Sequence, residues 1–114
     1  KSQVMNVVGN VKAKTCIIVD DIIDSGGTIV NAASALIKRG AKEVHVYCTH
    51  GVLSGEAIDK IKKSKIKNLV ITDTIDSSDK VKKARNIEVL TISNLLAEAM
   101  KRISNSTSVS DLFK

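Results

Sequence analysis

The chain has 114 residues, of which 43% are hydrophobic and only 2% aromatic, and its formal net charge is +6. This length permits one small domain with a modest core of aliphatic side chains. No apolar run approaches the roughly 20 residues of a membrane span, and no secretory signal is visible. We therefore expect one globular domain with no membrane partner.

The basic residues and the two cysteines bear on the partners and the cellular compartment of the domain. Lysines cluster in residues 60–67 and 80–83, where they are typical of solvated helix faces. No docking motif for nucleic acid is present, and base-stacking surfaces need more aromatic side chains, so we expect no nucleic-acid partner. Cys16 and Cys48 lack CxxC spacing and indicate buried thiols in a reducing compartment, which predicts a cytoplasmic location.

Strands and helices are predicted to alternate along the chain. Four strands are predicted, at residues 16–19, 43–48, 68–72 and 87–92, the first of them buried. Apolar residues at helical spacing predict a helix over 29–37, and Ser54 and Ser93 are predicted to cap two more. Residues 73–79 are predicted to form a polar loop. This order favours an α/β domain with a mainly parallel sheet flanked by helices.

The junction between the first strand and the first helix carries an unusual set of polar residues. They are Asp20, Asp21, Asp24, Ser25, Gly26, Gly27 and Thr28. Glycines and the N–H groups at a helix N-terminus suit a phosphate, and the hydroxyls add donors. Adjacent carboxylates would repel phosphate, but they suit sugar hydroxyls or a divalent cation carried by the ligand. The set therefore predicts a sugar-phosphate site with a metal ion.

A plainer interpretation of the same junction is a capped helix after a tight turn. Asp24 or Ser25 would then be the N-cap, since either side chain can accept a hydrogen bond from the first turn. A cap needs only one such residue, whereas the junction contains the whole set.

Several segments, in order and spacing, resemble the ribose-phosphate diphosphokinase family, also called the phosphoribosyl-pyrophosphate synthetases. Residues 19–28 resemble the phosphoribosyl-diphosphate motif of the type I phosphoribosyltransferase fold. Further similar segments are 8–12, 49–55, 72–75, 96–99 and 108–113. The resemblance covers nearly the whole chain and implies a phosphoribosyltransferase-like, Rossmann-like fold.

The resemblance also implies a reaction. The family transfers diphosphate from ATP to ribose 5-phosphate and produces phosphoribosyl pyrophosphate and AMP, with Mg2+ bridging the nucleotide phosphates. Asp24, Ser25, Gly26, Gly27 and Thr28 would hold the 5-phosphate. Asp20 and Asp21 would hold the ribose hydroxyls, and through the substrate they are the candidate contacts of the metal. No catalytic residue is expected in this chain, because the family's loop Lys and Arg lie upstream.

The resemblance further implies how this chain relates to a complete enzyme. Residues 1–114 would form a single domain, the carboxyl-terminal half of a longer homo-oligomeric enzyme, and the isolated piece is expected to be inactive. Residues 104–114 are rich in Ser, Asn and Thr, which predicts a flexible tail. In the family, serines matching Ser108 and Ser110 help to bind a regulatory phosphate at a subunit interface.

Three other functions remain open at this point. A phosphoribosyltransferase that consumes the same diphosphate shares the acidic-glycine motif, although the downstream segments favour the synthetase. A non-catalytic, synthetase-associated regulatory subunit would differ in the upstream loop. A phospho-receiver domain has an acidic pair after its first strand and an Asp after its third, here Asp73. Receiver domains lack a Gly-Gly-Thr loop at the acidic strand, and they need a Lys after one of their last strands.

Overall fold

The computed structural model describes residues 6–114 and contains a four-stranded sheet in the order β1-β2-β3-β4, with every neighbouring pair parallel. The strands are β1 (Thr15–Ile23), β2 (Glu43–Gly51), β3 (Ile66–Thr72) and β4 (Ile87–Leu90). The helices are α1 (Gly27–Lys38), α2 (Ala57–Lys62), α3 (Ser78–Val81) and α4 (Ser93–Ser104), followed by a 3-10 helix at Ser110–Phe113. The predicted α/β class with a parallel sheet is confirmed.

The first two strands extend further than the sequence pattern indicates. Asp20 pairs with Cys48, and Ile22 pairs with His50, so the ladder continues to Ile23 and Gly51. The predicted ends at residues 19 and 48 were wrong because polar side chains indicate a loop, whereas strand pairing depends on backbone groups. The loop between β1 and α1 is therefore only residues 24–26.

The core lies between the sheet and the first two helices. Val44, Val46, Leu69 and Ile71 of the central strands are fully buried, and they belong to one cluster with residues of α1 and α2. The helix residues that complete this cluster are Ile29, Ala33, Ala57 and Ile61. The core positions the carboxyl ends of β1 and β2 beside the N-termini of α1 and α2.

Part of the opposite face of the sheet is uncovered. Ile17 is 60% exposed and Val19 is 78% exposed, so the prediction that residues 16–19 form a buried strand was wrong for these two side chains. Alternate residues of a strand point to opposite faces, and Cys16 and Ile18 pack against the core instead. Helix α4 has no buried residue, and Met100 and Ile103 on its apolar side are exposed.

The helix starts differ from the predicted caps. Residues 73–79 were predicted as loop, but α3 begins at Ser78. Ser54 does not cap α2, which begins three residues later at Ala57, and its hydroxyl contacts Asp24 instead. Ser93 is itself the first residue of α4, and its N–H donates to the hydroxyl of Thr91 at 3.1 Å. Within residues 6–114, no helix is long and apolar enough to cross a membrane.

Candidate functional site

The loop between β1 and α1 lies at the carboxyl edge of the sheet. Gly26 immediately precedes α1 and has φ +87°, a left-handed conformation in which a side chain would be strained. A Cβ atom on Gly26 would lie 3.6 Å from Cβ of Ala57, so the loop packs against the start of α2. A Cβ atom on Gly27 would meet nothing within 4 Å, so this side of the loop is open.

The N-terminus of α1 has no side-chain cap. Among residues 6–114, no side chain accepts a hydrogen bond from its first N–H groups, and its first turn contains no acidic residue. The alternative interpretation, in which Asp24 or Ser25 caps the helix, is therefore wrong. Unsatisfied N–H groups and the helix dipole together favour an anion at this end of the helix.

A cleft of about 260 Å³ adjoins this helix end. Its polar lining contains most of the predicted site residues, namely Asp20, Asp24, Ser25, Gly26 and Thr28. Asp21 and Gly27 do not line it. Asp21 follows Asp20 in β1 and is exposed, whereas Asp20 is half-buried. The N–H of Asp21 donates to Oδ1 of Asp20 at 2.8 Å.

A second segment, between β2 and α2, holds the loop in place. The carbonyl of Ile23 accepts hydrogen bonds from the N–H groups of Val52 and Leu53, at 3.0 and 3.1 Å. The carbonyl of Asp24 accepts from the N–H of Ser54 at 2.9 Å, and its carboxylate accepts from the Ser54 hydroxyl. Sequence reasoning missed this function of Ser54; the available signal was its position in the family-like segment 49–55.

Hydrogen bonds also link the carboxyl ends of β2 and β3. Nδ1 of His50 lies 2.7 Å from Oγ1 of Thr74, and the Thr74 hydroxyl also lies 3.2 Å from the carbonyl of Thr49. His50 is thus a hydrogen-bonded residue of this edge. Asp73 accepts the N–H of Ile92 at 3.0 Å, and this bond lowers the pKa of the Asp73 carboxyl.

Comparison with known proteins identifies the family. The model of the phosphoribosyl synthetase-associated domain matches residues 1–114. The chain belongs to this family. It is 58% identical over 113 residues to the ribose-phosphate pyrophosphokinase of Bradyrhizobium diazoefficiens, and 55% identical over 113 residues to that of Hyphomonas neptunium. Each match covers 99% of this chain and 36% of the relative, so the chain spans about a third of the length of these relatives.

A solved structure supports the same relationship. The crystal structure of phosphoribosylpyrophosphate synthetase from Mycobacterium smegmatis matches with a TM-score of 0.85 and 38% identity. The match covers 93% of this chain and 35% of that one. The predicted resemblance to the phosphoribosyl-pyrophosphate synthetases is confirmed at the level of family and fold.

The part of the chain that the structure describes does not by itself offer a full set of metal ligands. Among residues 6–114, no three His, Cys, Asp or Glu side chains are grouped to hold a metal ion. Mg2+ commonly binds through one or two carboxylates plus substrate phosphates and keeps several waters. Asp20 in the cleft therefore fits a Mg2+ ion that arrives with a phosphorylated substrate, and it does not fit a metal held by protein ligands alone.

The two predicted regulatory serines lie side by side at the end of the domain. Oγ of Ser108 is 2.9 Å from Oγ of Ser110, although Val109 between them is helical and not extended. Arg102 forms an ion pair with Glu98 and donates from its guanidinium to the carbonyl of Ser108 at 3.0 Å. The guanidinium of Arg102, itself paired with Glu98, therefore contacts the backbone of Ser108. The flexibility of residues 104–114 and the regulatory phosphate stay predictions.

Proposed function

We propose that this domain supplies the ribose 5-phosphate half of the active site of a ribose-phosphate diphosphokinase. The complete enzyme would transfer diphosphate from ATP to the anomeric hydroxyl of ribose 5-phosphate, giving phosphoribosyl pyrophosphate and AMP. The observation that carries the proposal is the uncapped N-terminus of α1, which shares one cleft with the carboxylate of Asp20. An anion site beside a carboxylate suits a ligand with a phosphate at one end and hydroxyls at the other.

Each part of the cleft has a function in this proposal. The N–H groups at the start of α1 and the hydroxyls of Ser25 and Thr28 bind the 5-phosphate. Asp20 accepts hydrogen bonds from the ribose hydroxyls. Asp21, which does not line the cleft, is assigned a weaker contribution than the sequence resemblance implies.

Catalysis in this domain would depend on position and charge. Mg2+, when carried in by the nucleotide, would neutralise phosphate charge and help to orient the reacting oxygen. The cleft contains no evident general base, so the domain's own residues contribute by fixing the sugar phosphate in a reactive orientation. We expect the ATP-binding residues and the catalytic Lys and Arg in the part of the relatives that this chain does not match.

We also propose that the complete enzyme is a cytoplasmic homo-oligomer in which Ser108 and Ser110 bind a regulatory phosphate between subunits. The exposed apolar side of α4, which includes Met100 and Ile103, supports a subunit contact close to these serines. The nearby guanidinium of Arg102 supports an anion site, since neutral hydroxyls alone hold a dianion weakly in water.

A chimera tests the proposed reaction. The 114 residues would replace the matching segment of the Bradyrhizobium diazoefficiens relative, which is 58% identical. We expect the chimera to form AMP from ATP only when ribose 5-phosphate is present, and we expect the isolated domain to form none. A folded chimera without this activity, or one that instead consumes phosphoribosyl pyrophosphate together with a nucleobase, would contradict the proposal.

A further inference from the structure

Asp24 is an unexpected residue for a phosphate-binding loop, because its charge has the same sign as the ligand. Asp24 lines the cleft, three residues before the first residue of α1. The hydroxyl of Ser54 donates a hydrogen bond to Oδ1 of this carboxylate. That oxygen is therefore bound to the neighbouring segment of the protein and has a structural partner 30 residues away.

The backbone around Ser54 strengthens the same connection. The N–H of Ser54 donates to the Asp24 carbonyl at 2.9 Å, so Ser54 contacts both the main chain and the side chain of Asp24. The preceding residue, Leu53, has φ +53° although it is not glycine, and its side chain is 1% exposed. A bulky residue persists in this conformation only when its surroundings hold it there. Its N–H donates to the carbonyl of Ile23.

The segment from Val52 to Ala57 also reaches the glycine of the loop. Gly26 packs against Ala57, which is fully buried, and the N–H of Ala57 donates to the carbonyl of Ser54 at 3.1 Å. The short loop is thus held at Ile23, Asp24 and Gly26 by a single segment. This arrangement fixes the direction in which the N–H groups at the start of α1 point.

We propose that Asp24 and Ser54 are a pair of positioning residues, which set the shape of the phosphate-binding loop without contacting the phosphate. This inference rests on the proposed function of the cleft and changes the assignment of Asp24 within it. Asp24 acts as an acceptor for Ser54, so the interaction needs an oxygen at that position and not a negative charge. An asparagine can supply the same acceptor.

The test is a titration of the chain with ribose 5-phosphate, followed by the amide signals of residues 26–28 in NMR spectra. We expect Ser54→Ala and Asp24→Ala each to weaken binding by roughly tenfold, since each removes the hydrogen bond that holds the loop in its binding shape. The double variant should be no weaker than either single one, because both remove the same interaction. Asp24→Asn should bind within about threefold of the wild type, because it keeps the acceptor.

Ser78→Ala is a matched control. Its hydroxyl donates to Asp76 at 2.7 Å, which is another Ser–Asp hydrogen bond beside a short helix, but neither residue lines the cleft. This control should leave ribose 5-phosphate affinity unchanged. Thermal unfolding of each variant separates loss of binding from loss of fold.

Four results would overturn the inference. Ser54→Ala could bind like Ser78→Ala, or could lose thermal stability without losing affinity, and in either case the pair would not position the loop. Asp24→Asn could bind as weakly as Asp24→Ala, and the negative charge itself would then be required. A wild-type chain that responds equally to ribose and to ribose 5-phosphate would refute the proposed function as well. If Thr28→Ala weakens binding and Ser54→Ala does not, only the positioning role fails.

Discussion

Asp20 and Asp21 are neighbours in β1, yet only Asp20 lines the cleft beside α1, and its carboxylate accepts the N–H of Asp21 at 2.8 Å. Asp20 is half-buried and Asp21 is exposed. The two neighbouring acidic residues therefore have different surroundings. The two carboxylates should differ in their importance for the sugar.

The first prediction compares these two residues. Asp20→Ala should weaken ribose 5-phosphate binding by about 1.5–3 kcal/mol, the range for a hydrogen bond to a charged group. Asp21→Ala should change it by less than about 0.5 kcal/mol, as expected away from the contact. Isothermal titration calorimetry measures both values. Equal losses would show that both carboxylates hold the sugar, as the family resemblance implies.

The second prediction concerns the loop itself. Thr28→Ala should weaken ribose 5-phosphate binding by about 1.5–3 kcal/mol, because it removes a hydroxyl donor to a charged phosphate. Gly27→Val should also weaken binding, since its side chain would fill the open space through which phosphate approaches the backbone. Calorimetry on folded samples measures both. Unchanged affinity in the two variants would refute the assignment of the phosphate to this loop.

The third prediction concerns stability at low pH. Glu43 accepts a hydrogen bond from Lys67 at 2.8 Å and lies 3.2 Å from His45, and these partners lower the pKa of Glu43 to about 2 from 4.5. Because the folded state favours the charged form, this stabilisation is present above pH 4.5 and is lost as the pH falls towards 2. Between pH 4.5 and 2, the free energy of unfolding of a Glu43→Gln variant should therefore fall less than that of the wild type.

Denaturant titrations across that pH interval measure this effect. Glu88→Gln in β4 is the control, since Glu88 is exposed and forms no ion pair with the described residues. A Glu43→Gln variant whose stability falls with acid as steeply as that of the control would contradict the assignment.

The fourth prediction tests which face of the sheet carries the core. Leu69 in β3 is fully buried, whereas Leu90 at the end of β4 is 49% exposed. Leu69→Ala should lower the free energy of unfolding by about 2–5 kcal/mol, the usual cost of an emptied core position. Leu90→Ala should lower it by less than about 1 kcal/mol. Equal losses from urea unfolding curves would mean that both faces are covered in solution.

Much of this architecture was predictable because the signals are local. The alternation of strands with helices follows from hydrophobic spacing, which predicts a parallel sheet. The candidate site residues between Asp20 and Thr28 could be selected from the sequence because their chemistry is concentrated in one short stretch, and their role in binding stays a prediction. Most of them do line one cleft.

The remaining features depend on contacts between distant residues. An apolar strand has the same pattern whether or not another element covers it, so the exposure of Val19 could not be predicted. Ser54 has the residue type of a helix cap, and only the fold brings it to Asp24. The strands end at Ile23 and Gly51 because of backbone pairing, and the polar side chains near these ends give no sequence signal for it.

The central claim is that the loop between β1 and α1 binds the phosphate of ribose 5-phosphate. NMR titration of the chain with ribose 5-phosphate, inorganic phosphate and ribose tests it most directly. We predict that ribose 5-phosphate and inorganic phosphate both shift the amide signals of Gly26, Gly27 and Thr28, and that ribose alone leaves these signals in place. Ribose 5-phosphate should bind more tightly than inorganic phosphate. Shifts confined to the lysine-lined cleft between α2 and α3, around Lys62 and Lys83, would contradict the claim.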